Sequence, residues 1–420
     1  MTLARILMGA LLVLSPFQDT FLRNTPLRLL GTSFAVIPLF GLVMLDGARW
    51  LAAREKRING KAAAAGAYCA AVTLVHLAAF GVEWHGVDLV VKTFNLALMF
   101  ALAAYVVFRL DWYGFPHLRL CAHAAFAICA AGILIHDLNL FGMRGLLANP
   151  VFHATDNPDS RWHGLCPEAS VLSLSTGSLG LLSAACARRW WTRAALLGIT
   201  AVLLAGSGSK GAVLALALVS VTVGLFARGY RLRVALGCLL LLPAGYLGYI
   251  RLQQMASADA IHQSTTMATR GSLFFWAARV VAHHPFGVGF GGFYHALTRY
   301  LPGAMDRMYQ TSPLPLDFEE VQGYLSSAQY AGTKTLVFDL AVYFGVPFLV
   351  AFGWFVTRLW RACQAMRKPM LLIAIVFVAA GFSTYGGSPA RYDTMVVLGA
   401  GWSLYRRWRE GSAGGAPIER

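Results

Sequence analysis

Apolar residues run along this chain in windows long enough to cross about 30 Å of hydrocarbon, each closed by charge, Gly/Pro or polar clusters. About twelve such windows are present: 3–17, 27–45, 62–80, 88–108, 119–136, 169–187, 194–206, 210–227, 233–250, 334–357, 370–384 and 392–405. The pattern predicts an all-α, polytopic integral membrane protein. No small-residue cleavage site follows LLVLSPFQDT, so the first window reads as a signal-anchor helix. The windows at 194–206 and 370–384 are short enough to be tilted or re-entrant.

Composition agrees with the pattern. Of the 420 residues, 57% are hydrophobic and 13% charged, which is outside the range of soluble domains. The net charge of +16 then becomes a question of sidedness, because Lys and Arg are retained on the cytoplasmic face. With both termini inside, the inner segments hold 22 of the 35 basic residues and five of the 19 acids, giving +17 inside against −1 outside. The basic excess is therefore a topology signal. A nucleic-acid partner is excluded, since no basic face with interleaved aromatics occurs.

This orientation divides the chain into helices 1–9 over 1–250, with an outer loop at Asp137–Glu168; a large outer loop over 251–333; helices 10–12 over 334–405; and a cytoplasmic tail, 406–420. The large loop, about eighty residues from Arg251 to Gly332, far exceeds what a helix connection needs. Long loops commonly carry function. The seven cysteines form no disulfide framework, because Cys166 alone lies clearly in an outer loop.

Four constellations carry candidate chemistry. GSGSKGAVLALAL, Gly206–Leu218, places Lys210 at a Gly/Ser turn beside a helix start, where amides and the helix dipole favour an anion. It is not a Walker loop: Gly211 follows the lysine where Ser or Thr is required. The stretch TRGSLFFWAARVVAHHPFGVGFGGFYH sets Arg270 ahead of Phe274, Ala277 or Ala278 and Val281, which predicts an amphipathic helix on the membrane surface, ended by Pro285. Its glycines, Gly287, Gly289 and Gly291 among them, allow a tight turn and close approach to a substrate, or the whole stretch is only a surface anchor.

The third is Arg161-Trp-His-Gly-Leu-Cys-Pro-Glu168, in which Glu168 is either a helix cap or a general base. In the fourth, GTKTLVFDLAVYFGVPF, Lys334 enters the membrane with Asp339 five residues deeper, and Arg391 and Asp393 face the same side. These charges hold a diphosphate or form a structural ion pair. Lys92, near the outer end of its helix, either snorkels or serves a site.

At these residues the chain resembles the O-antigen ligase and polymerase superfamily of bacterial polysaccharide assembly, over roughly 206–348. Ser209-Lys210-Gly211 is similar to the family's Ser-Arg-Gly turn. Arg270, Trp276 and PFGVGFGGF are similar to its arginine, tryptophan and Pro-x-Gly-x-Gly-x-Gly loop. Where ligases carry a His-Asn type pair before a glycine, Lys334-Thr335 precede Gly345, which leans the resemblance toward polymerases of O-antigen or exopolysaccharide.

The resemblance implies a GT-C-like inner-membrane glycosyltransferase without cofactor. No HExxH, paired-cysteine or Asp-x-Asp motif occurs, so a metal-free reaction is expected, with Asp317-Phe-Glu-Glu as the metal alternative. Undecaprenyl-diphosphate-linked oligosaccharide would be donor and acceptor, in contact with membrane lipid and alongside a chain-length regulator and a flippase. It implies that Lys210 and Arg270 clamp the donor diphosphate, with Lys334 as a further catalytic charge. Glu168 is the base, with Asp339 or a loop histidine in reserve; Arg161, Trp276, Arg391 and Lys92 line the substrate site. A ligase acting on lipid A core or protein is the enzymatic alternative, and a transporter or flippase the non-enzymatic one.

Overall fold

The computed structural model describes residues 2–52, 60–153, 161–226, 260–312, 316–326 and 332–413. About 78% of it is helical, with almost no strand, so the chain is all-α as expected. The helices are α1 (Leu3–Leu14), α2 (Val36–Ala52), α3 (Gly60–Phe80), α4 (Leu89–Ala104), α5 (Leu118–Gly132), α6 (Ala169–Cys186), α7 (Trp190–Ser207), α8 (Lys210–Phe226), α9 (Ala260–His283), α10 (Gly289–Thr311), α11 (Glu319–Ser326), α12 (Leu336–Ala365), α13 (Pro369–Thr384) and α14 (Tyr392–Ala413).

Among the described residues, six helical stretches are long and apolar enough to cross a membrane: 62–80, 89–109, 118–137, 169–186, 190–207 and 336–365. Three shorter apolar helices accompany them, at 3–14, 210–224 and 369–384. Twelve spans are thus more than the described residues supply. The window at 27–45 starts in the 3-10 turn Pro26–Leu29 and becomes α-helical only at Val36. The window at 233–250 lies outside the described residues, as do 251–259, 313–315 and 327–331 of the large loop.

Contacts divide the chain into two units, the first made of 1–52, 99–251 and 355–420, the second of 53–98 and 252–354. In the first unit α6 is the central helix, with α5, α7, α8, α13 and α14 packed on it. Its sequence ASVLSLSTGSLGLLSAAC interleaves leucines with many Ala, Ser and Gly residues, which let neighbouring helices approach closely, as small residues allow in membrane packing. The Phe377 ring of α13 occupies the space a Cβ on Gly177 would need. At its C-terminus Arg193 donates to the carbonyls of Ala184 (3.1 Å) and Ala187 (3.0 Å), satisfying groups the helix leaves open.

In the second unit α10 packs on α3 and α9, and α11 on both α9 and α10. A two-residue hairpin, Glu83–Trp84 paired with Val87–Asp88, turns through His85 and Gly86, both at positive φ. Trp84 Nε1 donates to Thr298 Oγ1 of α10 at 3.1 Å. Asp88 then caps α4, accepting from the amides of Val90 (2.7 Å) and Val91 (3.1 Å).

The Arg270 stretch is helical, within α9. Pro285 does follow its last residue, His283, but the buried stripe is Leu273, Trp276, Ala277 and Val280, turned against α10. Phe274, the expected membrane-facing residue, is exposed from that packing. The glycines after Pro285 serve backbone contact. Gly287 lies against the Tyr343 carbonyl, Gly289 against the Thr73 backbone and Gly291 against Leu77.

The partner of that segment is the kink in α12, where Gly345 takes φ 65, ψ −156 and Pro347 follows. Val346 N donates to Pro285 O (2.8 Å), Val288 N to Val342 O (2.9 Å), and Tyr68 OH to the carbonyls of Phe286 (2.8 Å) and Phe344 (3.0 Å). Two Gly/Pro segments thus satisfy each other's open backbone groups, which a membrane interior would otherwise leave unmet.

Candidate functional site

In the first unit the turn between α7 and α8 gathers the expected residues. Gly208 ends α7 in the left-handed region, and Ser209 Oγ accepts from Ala212 N at 3.4 Å, so Lys210 opens α8 with its side chain exposed. The Trp162 ring lies where a Cβ on Gly206 would sit, and the Arg161 stem is 3.6 Å from the Cβ position of Gly208. On the other side the Tyr385 ring covers Gly211. GSGSKG is therefore glycine-rich because two aromatic rings and an arginine stem press on its backbone. The Arg161 stem thus packs on the turn that leads into Lys210, which places two cationic residues on one turn region.

The segment that carries Arg161 delivers Glu168 to the N-cap of α6. There its carboxylate is exposed and makes no capping hydrogen bond, so the simple cap does not account for it. Arg391 is placed differently. It is 4% exposed and donates from Nη2 to Val171 O (2.6 Å) and Ser175 Oγ (2.9 Å) of α6, with the fully buried Asp393 at 3.8 Å. This geometry is the structural ion pair left open by the sequence, not an outward substrate contact.

The same unit holds a cluster that the sequence reading did not find. His136, His153 and His163 bring their ligating nitrogens within 4.8 Å of one another. The ring centroids of His136 are 4.4 Å from His153 and 4.7 Å from His163. Burial, and then the two neighbouring imidazoles, hold the His153 pKa down at about 4. Nearby, burial raises the Cys166 thiol well above its ordinary range, and all six described cysteines are free.

In the second unit Arg270 is half-buried on α9, beside Thr269. Thr269 Oγ1 donates to Glu320 Oε2 at 2.7 Å, and Glu320 Oε1 pairs with Lys334 Nζ. Thr265 Oγ1 donates to Asp317 Oδ2 at 2.6 Å, so α9 is tied to the acidic segment 317–320 by two hydroxyl bonds. Lys334, at φ 63, is thus drawn toward Glu320. Asp339 is buried and accepts from Thr333 N within its own helix start.

Trp276 is fully buried, its ring on Phe293 and its Nε1 donating to Ala296 O at 2.9 Å, so it is core in this unit. Lys92 is half-buried in the first turn of α4. Arg270, Lys334, Trp276, Lys92 and the three glycines belong to the second unit; Lys210, Arg161, Glu168 and Arg391 belong to the first. Glu320 belongs to the Asp317-Phe-Glu-Glu run, which the sequence offers only as a weak metal-ligand alternative. Its tie to Thr269 appears only once α11 packs on α9.

The fold and its apolar helices define an all-α protein with membrane-spanning character. Comparison adds one relative: the chain is 29% identical over 236 residues to a Klebsiella pneumoniae protein described as an uncharacterized 49.5 kDa protein in the cps region. The match covers 54% of this chain and spans about half, 53%, of that relative. No protein-family profile matches the chain, and no solved structure matches it.

Proposed function

We propose that this protein is a polysaccharide polymerase of the bacterial inner membrane. It transfers a growing undecaprenyl-diphosphate-linked chain onto the next lipid-linked repeat unit at the outer face, with both termini cytoplasmic. The observation that carries the reading is the packing of Arg161 and Trp162 on the Gly206–Gly208 turn, one residue ahead of the helix start that bears Lys210. The relative described as lying in the cps region supports the coarser part of this reading, a role in polysaccharide biosynthesis.

In the proposed step the bond between the anomeric carbon and the donor diphosphate breaks, and the electron pair leaves with the phosphate oxygen. The acceptor hydroxyl oxygen forms the new bond to that carbon, and its proton passes to the Glu168 carboxylate. Lys210 and Arg161 hold the developing phosphate charge, fixed in place by the turn before the charge grows.

Each charge-assisted contact contributes roughly 1.5–3 kcal/mol, so Lys210→Ala or Arg161→Ala should slow transfer about tenfold to a hundredfold. Purified protein supplied with lipid-linked repeat unit should extend it to polymer, and the alanine variants should give shorter product at equal protein. Undiminished polymer from both alanine variants sinks this site. Product appearing only on lipid A core or protein would instead identify a ligase, and no product with any acceptor favours the transporter reading.

A further inference from the structure

We propose that His136, His153 and His163 form a three-histidine site for a divalent transition metal of the Zn²⁺ class. The site would fasten the segment after α5 back onto the end of that helix. It does not rest on the polymerase reading.

The ring nitrogens are already sorted for this task. His136 Nδ1 is 2.8 Å from Asp137 Oδ1, and the other Asp137 oxygen accepts from Gly164 N at 2.8 Å. His163 Nδ1 is 3.1 Å from the Cys166 carbonyl. In both rings the Nδ1 proton is therefore engaged and Nε2 is left as a lone-pair donor, the arrangement that carboxylates and carbonyls impose on metal-binding histidines. The third ring supplies the independent sign. His153 Nε2 is buried and has no hydrogen-bond partner among the described residues, a cost that an ion would remove.

The donor set also selects the ion. Three neutral imidazoles suit Zn²⁺, Co²⁺ or Cu²⁺, whereas Mg²⁺ and Ca²⁺ require oxygen ligands. A tetrahedral ion with bonds of about 2.0–2.1 Å holds its nitrogens roughly 3.3 Å apart. One ring nitrogen of each histidine lies within 4.8 Å of the others, so loading the ion requires the three rings to close toward it. Asp137, and the buried Asp19 whose charge acts on His153, offset the ion's two positive charges.

Three protein ligands leave one position for water or another group. The fastening has a consequence for neighbouring residues: Trp162 adjoins His163, so the ion would help hold Arg161 and Trp162 against the α7–α8 turn.

The test uses the full-length protein, purified in detergent with a tag that contains no histidine. It is loaded with ZnCl₂, dialysed, and its bound metal measured. Wild type and a His85→Gln control should each retain about one equivalent of zinc. His153→Gln and His163→Gln should lose it while remaining monodisperse, and Co²⁺ should give the strong visible absorption of a four-coordinate site in wild type and the His85→Gln control but not in these two variants. MgCl₂ should not be retained. His153→Gln is the decisive variant, because its Nε2 makes no hydrogen bond among the described residues, and monodispersity checks that loss of the ring's bond to the Gly164 backbone does not unfold the chain. If wild type retains no zinc or cobalt, or all variants retain them equally, the three histidines are a packing cluster and the proposal fails.

Discussion

Replacing Arg391 with Met tests whether this arginine holds the first unit together or touches substrate. Its side chain is 5% exposed, that of Asp393 0%, and the two charges stand 3.8 Å apart. Neither Asp393 oxygen has a hydrogen-bond partner among the described residues, so Arg391 is the compensating group the structure shows for that carboxylate. Removing one partner of such a buried pair costs about 3–5 kcal/mol, because the remaining charge is left unpaired. The bonds to Val171 O and Ser175 Oγ are lost as well, at about 1 kcal/mol each.

Losses of this size are a third or more of a typical domain's stability, so Arg391→Met alone should give little folded protein. The double variant Arg391→Met/Asp393→Asn removes both charges. It should recover much of the loss, and the cycle should show coupling of roughly 2–3 kcal/mol. Thermal unfolding of detergent-solubilised protein, followed by size-exclusion fluorescence, ranks the four proteins. If Arg391→Met is as stable as wild type yet makes no polymer, the arginine contacts substrate. A double variant no better than the single one would refute the ion-pair account.

Gly345→Ala should destabilise the second unit by about 1–3 kcal/mol through backbone strain alone, and further because its Cβ meets the Pro285 carbonyl; an unchanged unfolding midpoint would count against the interlocked segments. Trp276→Phe should cost about 1–3 kcal/mol through the lost bond to Ala296 O, read by the same unfolding measurement, and polymer yield should follow the amount of folded protein. Lys334 and Glu320 are both partly exposed, so Lys334→Met should change stability by under about 1 kcal/mol; a large fall in polymer yield at normal stability would assign the lysine to the reaction. Burial, then His76, Arg299 and His283, lower the pKa of His284 below its ordinary 6.5. Below that pH the unfolded chain takes up a proton that the folded chain resists, so stability should fall as pH drops, and His284→Gln should flatten the dependence.

The all-α class was legible in the sequence because hydropathy is a property of contiguous residues, and a backbone in hydrocarbon must satisfy its own hydrogen bonds. Helix starts were legible for the same local reason: Lys210 and Ala169 begin helices after Gly/Ser and Pro-Glu segments. Tertiary structure decided which apolar face meets protein. α6 and α9 carry mixed sequences whose burial depends on their neighbours, so the Phe274 face was expected to matter and the Leu273–Trp276 face does. The glycines of PFGVGFGG carry the same signal whether a substrate or another backbone approaches them, and packing on α3 and α12 supplies the backbone. His136, His153 and His163 follow no helical or hairpin spacing. They meet because the chain folds back from Asp137 to Gly164, and such a return is set by contacts between distant residues that no local pattern encodes.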